Sequence, residues 1–142
     1  MTKVQTEEKV ILVKDDELCT MKINVTRSLF SFYCKKHLES EQIRQNFMLM
    51  LNLVHTYKIK YVMGQARALH HLNAQDNHWL CTNIIPKVEA STVLKWARIE
   101  HPNSMLEFNS NQIKQKLNKT GKVQFQSFMD EESALLWLFD EV

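Results

Sequence analysis

The sequence predicts an α/β domain built on a mixed, mostly parallel five-stranded sheet, with the element order β-β-α-β-α-β-α-β-α. Three observations carry this. The chain has 142 residues, 44% hydrophobic and 24% charged, which is the size and composition of one globular domain. Two short apolar stretches near the start, separated by the polar turn Asp15-Asp16-Glu17, have the lengths and spacing of a hairpin. From Ser40 onward, segments with helical periodicity alternate with apolar runs of strand length. That alternation requires right-handed crossovers, which make neighbouring strands parallel.

The first strand is Lys9–Lys14, through Val10-Ile11-Leu12-Val13. In the second, Cys19, Met21, Ile23 and Val25 alternate with Thr20, Lys22 and Asn24, a period-two pattern with one buried face. The aromatic-rich stretch Arg27–Lys36 either continues that strand or covers a sheet edge. Then Ile43, Phe47, Met50, Leu51 and Val54 recur at three- and four-residue steps, with Ser40 as N-cap and Glu41 favouring the dipole of the first turn. Lys58–Met63 is the third strand, ended by Gly64. A second helix follows the N-cap Asn73, carries Trp79, Leu80, Ile84 and Ile85, and is kinked or ended by Pro86.

Val93–Ile99 is the fourth strand, and Pro102-Asn103 opens a loop. Ser110 caps a short helix through Ile113 and Leu117, with Gly121 just past its end. Lys122–Phe128 is the fifth strand. Asp130 caps the last helix, Glu131–Phe139, which carries Ala134, Trp137 and Leu138 on one face. No repeat, low-complexity tract or linker interrupts the chain, so residues 1–142 form one domain with its core from about 8 to 140.

Lysine and arginine number 18 against 16 acidic residues, a formal charge of +2. With no basic run longer than Lys35-Lys36, nucleic-acid binding is not expected. The longest apolar stretch, Phe47–Val54, is interrupted by Asn52 and falls far short of the roughly 20 residues a membrane-spanning helix needs. Met1–Asp16 carries Lys3, Glu7, Glu8, Lys9 and Lys14 and lacks the apolar segment of a signal peptide. Cys19, Cys34 and Cys81 are odd in number and scattered, which points to a reduced compartment and a cytoplasmic location.

No catalytic constellation emerges. The only glycines are Gly64 and Gly121, too few for a phosphate-cradling loop. No serine lies in a G-x-S-x-G turn, and the adjacent Glu131 and Glu132 point to different sides of a helix. His78 and Cys81 are three apart on a helix, with His71 in reach of the same ion, yet the spacing matches no zinc signature. Cys81 reads instead as a small buried residue. A non-enzyme with no metal and no cofactor is expected. Trp79, Trp96 and Trp137 read as core or dimer packing. If Met48 and the apolar residues flanking Asn52 are exposed, a homodimer or a partner helix is expected.

The C-terminal run Phe128-Met129-Asp130-Glu131-Glu132-Ser133-Ala134-Leu135-Leu136-Trp137-Leu138 resembles that of the STAS-like domains of bacteria. These are relatives of sporulation anti-sigma-factor antagonists, grouped with the lipid-binding SEC14 (CRAL-TRIO) fold. Gln65-Ala66-Arg67-Ala68-Leu69, followed by Gln75-Asp76-Asn77-His78-Trp79, is similar to the family's strand-end Asp-x-Arg and the tryptophan of its second helix. The resemblance implies a non-enzymatic regulatory or protein-interaction module; the SEC14 relationship implies, as the alternative, a small-molecule or lipid-binding domain. Regulatory members carry a phosphorylatable hydroxyl at the start of the second helix. Here no Ser or Thr occurs between Met63 and Cys81, which removes the hydroxyl that such a switch requires.

Ligands of open parallel sheets bind beyond the carboxyl ends of the strands. Two loops meet that description, Gly64–Asn73 and Glu100–Asn109. They nominate Gln65, Arg67, His70, His71, Asn73 and His101 as contacts for a protein partner or a small apolar ligand, with Arg67 first among them. Loops are also polar simply because they are solvated. A small-molecule or lipid site would need an apolar pocket of roughly several hundred Å3.

Overall fold

Short side chains that accept hydrogen bonds set the first turns. Asp16 Oδ1 accepts from the backbone N–H groups of Leu18 (2.8 Å) and Cys19 (2.9 Å), closing the hairpin between β1 (Val10–Asp15) and β2 (Cys19–Asn24). Asn24 Oδ1 accepts from Arg27 (3.0 Å), and Ser28 takes a φ of 56°, which turns the chain into β3 (Leu29–Cys34). The computed structural model describes residues 7–140; residues 1–6 and 141–142 of the expected domain lie outside the described residues.

β3 corrects the expected count, for the sheet has six strands and not five. The stretch that read as a continuation or an edge cover is an interior strand, paired with β2 on one side and with β4 (Tyr61–Gln65) on the other. Both of its faces are covered: Phe30 and Phe32 belong to the larger core, Leu29 and Tyr33 to the smaller one. A strand buried on two sides loses the alternation that betrays a strand buried on one.

Beyond it follow α1 (Ser40–Tyr57), β4, α2 (Ala74–Trp79), a π-helical turn (Leu80–Ile84) and α3 (Ile85–Glu89). The chain ends with β5 (Lys95–Ile99), α4 (Glu107–Asn118), β6 (Gln124–Phe128) and α5 (Glu131–Leu138). Spatial strand order equals sequence order. β1-β2 and β2-β3 are antiparallel, and β3-β4, β4-β5 and β5-β6 are parallel. Each parallel crossover therefore steps one strand in the same direction, and right-handedness puts all its helices on one face. There Met50, Val54, Leu80, Ile84, Val88, Ile113 and Leu117 pack on Phe30, Val62, Trp96 and Phe125. Full burial of such a side chain stabilises by about 1.5–3 kcal/mol.

α5 is not a crossover and takes the opposite face, where Ala134 and Leu138 cover Leu29, Met63, Ala97 and Ile99. On that side Val10 and Leu12 of β1 remain exposed.

Several helix boundaries are set by unexpected residues. Glu39, extended at φ −79°, is the N-cap of α1, and Gln42 Oε1 accepts from its N–H (3.0 Å). Ser40 is thereby the first helical residue and not the cap; its hydroxyl bonds Asp76 instead (2.5 Å). Ser110 is likewise no cap, lying inside α4, which begins at Glu107. Pro86 does not end its helix. The π turn before it lets the Ile85 N–H reach Leu80 O, so the helical path passes the missing proline donor and continues to Glu89. Asn73 and Asp130 cap as expected, accepting from Asp76 (2.7 Å) and Ser133 (2.8 Å). Gly121 sits at φ 71° just past α4 and donates to Leu117 O (3.1 Å). Met48 is 43% exposed, but Leu51 and Leu53 stay partly covered, so α1 presents no continuous apolar stripe. No described helix is long and apolar enough to cross a membrane.

Candidate functional site

The carboxyl ends of β4, β5 and β6 lie side by side, tied by Ala66 N–H to Ile99 O (2.8 Å) and Glu100 N–H to Phe128 O (3.0 Å). The six nominated residues divide there into separate groups. Gln65 Oε1 accepts from the Arg67 backbone N–H (2.7 Å), and the Arg67 guanidinium donates to the Met129 carbonyl. These two residues therefore brace the loop after β4 against the one after β6. Asp130 beside them sits below the usual carboxylate range, chiefly because it accepts from Ser133, with Arg67 adding a smaller pull.

His70 and His71 join a residue that sequence reasoning passed over. His37 stacks on both rings, with centroids 5.3 and 5.1 Å apart, and its Nδ1 accepts from the His70 N–H (3.1 Å). No spacing could announce that trio, since His37 precedes α1 and the others follow β4. Asn73 is occupied as the cap of α2. His101 is exposed, and its carbonyl closes the next turn by accepting from Ser104 (3.2 Å).

A second polar assembly, of which sequence reasoning reached only the loop Glu100–Asn109 and not Arg98, lies inside the domain. Arg98 in β5 is only 6% exposed. Its Nη1 donates to Asn109 Oδ1 (2.7 Å) and Ser110 Oγ (3.2 Å), and Ser110 in turn donates to Glu100 Oε2 (2.8 Å). Asn109 continues the chain to Asn77, and Asn77 to Gln112. Burial brings the Arg98 pKa down to about 10, with Glu100 pulling the other way. The guanidinium lies 5.8 Å from the Trp96 ring and 5.6 Å from that of Phe125. The available signal was Arg98 itself, a charge two residues from Trp96 and so on the same, inward side of a strand.

Against this assembly, under α1 and the loop after β4, lies an apolar cavity of about 70 Å3. Phe32, Phe47, Leu69 and Trp96 are among its walls, and Arg98 and Asn46 are its polar residues. Burial pushes the Cys34 thiol up to about 11 and raises those of Cys19 and Cys81, which disfavours the thiolate form of all three. No group of three or more His, Cys, Asp or Glu side chains is arranged to hold a metal among the described residues.

No family model matches the chain, and no curated protein matches it. Among solved structures it is similar to an uncharacterised protein of the DUF3478 family with a SpoIIAA-like fold, from Shewanella loihica PV-4. The two share 16% identity at a TM-score of 0.54, over 96% of this chain and 99% of that one. A likeness at that identity speaks for architecture alone, and it agrees with the STAS-like resemblance of the sequence. The fold of this chain is the SpoIIAA-like (STAS) α/β fold.

Proposed function

We propose that the chain is a non-enzymatic regulatory module of the STAS-like type, which binds a partner protein at the carboxyl edge of its parallel strands. The observation that carries this reading is a set of large apolar side chains left open at that edge: Met105 (75% exposed), Phe108 (66%) and Met129 (63%). They stand after β5, at the start of α4 and after β6. Exposed residues of this size cost solubility and mark contact surfaces when they cluster. The brace from Arg67 to Met129 supports the reading, since it orders the backbone that presents one of them and adds a polar rim. A cytoplasmic location belongs to the same proposal, supported by three free, buried cysteines.

Capture from cells that naturally make the protein tests it, comparing the natural chain with a Met105→Glu/Phe108→Glu/Met129→Glu variant. The expected result is a partner held at fixed stoichiometry by the natural chain and lost by a variant with unchanged circular dichroism and Tm. Undiminished capture by the variant contradicts the proposal, as does a stoichiometric small molecule co-purifying with no partner. The alternative of a small-molecule or lipid-binding domain draws on the cavity beside Arg98. At about 70 Å3 that cavity falls short of the roughly several hundred Å3 expected of a lipid or drug-sized ligand, and it suits only a molecule of a few heavy atoms.

A further inference from the structure

Gly64 is the starting point. It lies in an interior strand, where glycine weakens pairing and leaves a gap in the packing. Its backbone needs no glycine, since the positive-φ glycine is Gly121. Nor does crowding require it: a Cβ built there meets nothing within 4 Å. The missing side chain is missing space-filling. Across the sheet Gly64 is in register with Phe32 on one side and Arg98 on the other, and all three line the cavity. The void thus lies beside residue Arg98, which is among its walls.

The polar residues lining that void are two, Arg98 and Asn46, and both carry donors. Arg98 hydrogen-bonds through Nη1, and its Nε and Nη2 have no partner among the described residues. Among the described residues no fully buried side-chain nitrogen or oxygen lacks a partner, so any accessible area left on those two nitrogens is small. Asn46, buried in the opposite wall, accepts from Lys14 Nζ at its Oδ1 (3.3 Å), and its amide N–H groups have no partner among the described residues. No Asp or Glu lines the cavity. Glu100 balances Arg98 only through Ser110, with no direct ion pair within 4 Å. Donors without acceptors, under apolar walls, select an acceptor with an apolar body. A carboxylate matches the planar fork of a guanidinium in two parallel hydrogen bonds.

Size narrows the class further. One water needs roughly 10–15 Å3 on this measure, so about 70 Å3 holds roughly five to seven such spheres. We infer that the cavity is a binding site for a short-chain, branched carboxylate, its anionic end on Arg98 and its apolar body between Phe32 and Phe47. The loop Ala66–Leu72, held by His70 on His37, forms one wall. The site goes beyond the partner-binding reading and stands apart from it, because none of the three exposed apolar residues lines it.

Calorimetric and thermal-shift titrations with isobutyrate, and with its neutral isostere isobutyramide, test the inference on the full chain. Isobutyrate is expected to bind and raise Tm, with the amide weaker by at least about ten-fold. Arg98→Met is expected to abolish binding. Should that variant fail to fold, Gly64→Val decides: the added branch suits a strand and fills the void, so Tm holds or rises while isobutyrate binding is lost. The inference is overturned if the natural chain does not bind isobutyrate, if the amide binds equally well, or if Gly64→Val binds as the natural chain does.

Discussion

Arg67 follows β4 and Arg98 lies in β5, the strand beside it, yet the two side chains meet opposite surroundings. Arg67 is half-buried at the sheet edge and spends its guanidinium on one backbone carbonyl of the next loop but one. Arg98 is enclosed, bonded to two α4 side chains, near two aromatic rings and among the residues that line a cavity. A charge at the surface is cheap and its loss is cheap. A charge inside persists only if its surroundings are organised around it, so its loss disorganises several groups together. On the reading proposed above, the edge would meet another protein and the interior arginine would hold something small.

Mutation should separate the two arginines widely. Arg98→Met strips Asn109 and Ser110 of their donor and leaves Glu100 buried without its compensating charge. Urea unfolding is expected to show a loss of about 3–5 kcal/mol; a loss under about 1 kcal/mol would mean that the enclosed network is not organised by Arg98. Next in size comes Asn73→Ala, which removes the cap of α2 and should cost about 1 kcal/mol in the same assay. Arg67→Ala should cost about 1 kcal/mol or less, since one partly solvated bond is lost. If its cost matched that of Arg98→Met, the contrast between edge and interior would collapse.

The smallest effect is spectroscopic. Burial, and then the hydrogen bond Tyr33 donates to Glu131 Oε1 (2.9 Å), push the Tyr33 hydroxyl from 10.0 up to about 12. Its folded value thus exceeds the unfolded one, so its contribution is full below pH 10 and is lost as pH rises towards 12. Ultraviolet titration should show a late tyrosine phase, and Tyr33→Phe should delete it. A Tyr33→Phe variant that keeps any such phase unchanged would refute the link between β3 and α5.

What was legible in the sequence followed the same division. One-sided β2 announced itself through Cys19, Met21 and Ile23, whereas β3 hid because Leu29 and Phe30 are buried on opposite faces. Asn73 and Asp130 were readable as caps because a short acceptor preceded each helical pattern. Ser40 and Ser110 misled because their hydroxyls serve Asp76 and Glu100, partners 36 and 10 residues away. Of the edge residues, Gln65 and Arg67 could be placed at a strand end, but the carbonyl that holds Arg67 lies 62 residues further on. The cavity was beyond reach, because it depends on Phe32, Gly64 and Arg98 falling in register across three strands. No spacing along a chain encodes that register.

The most direct test maps where a small carboxylate acts. Amide and indole resonances of isotopically labelled protein can be followed while isobutyrate is added to the natural chain, to Arg67→Ala and to Gly64→Val. The account predicts shifts centred on Gly64, Phe32 and the Trp96 indole, retained in Arg67→Ala and absent from Gly64→Val. Shifts confined instead to Met105, Phe108 and Met129, with the cavity resonances unmoved, would contradict it.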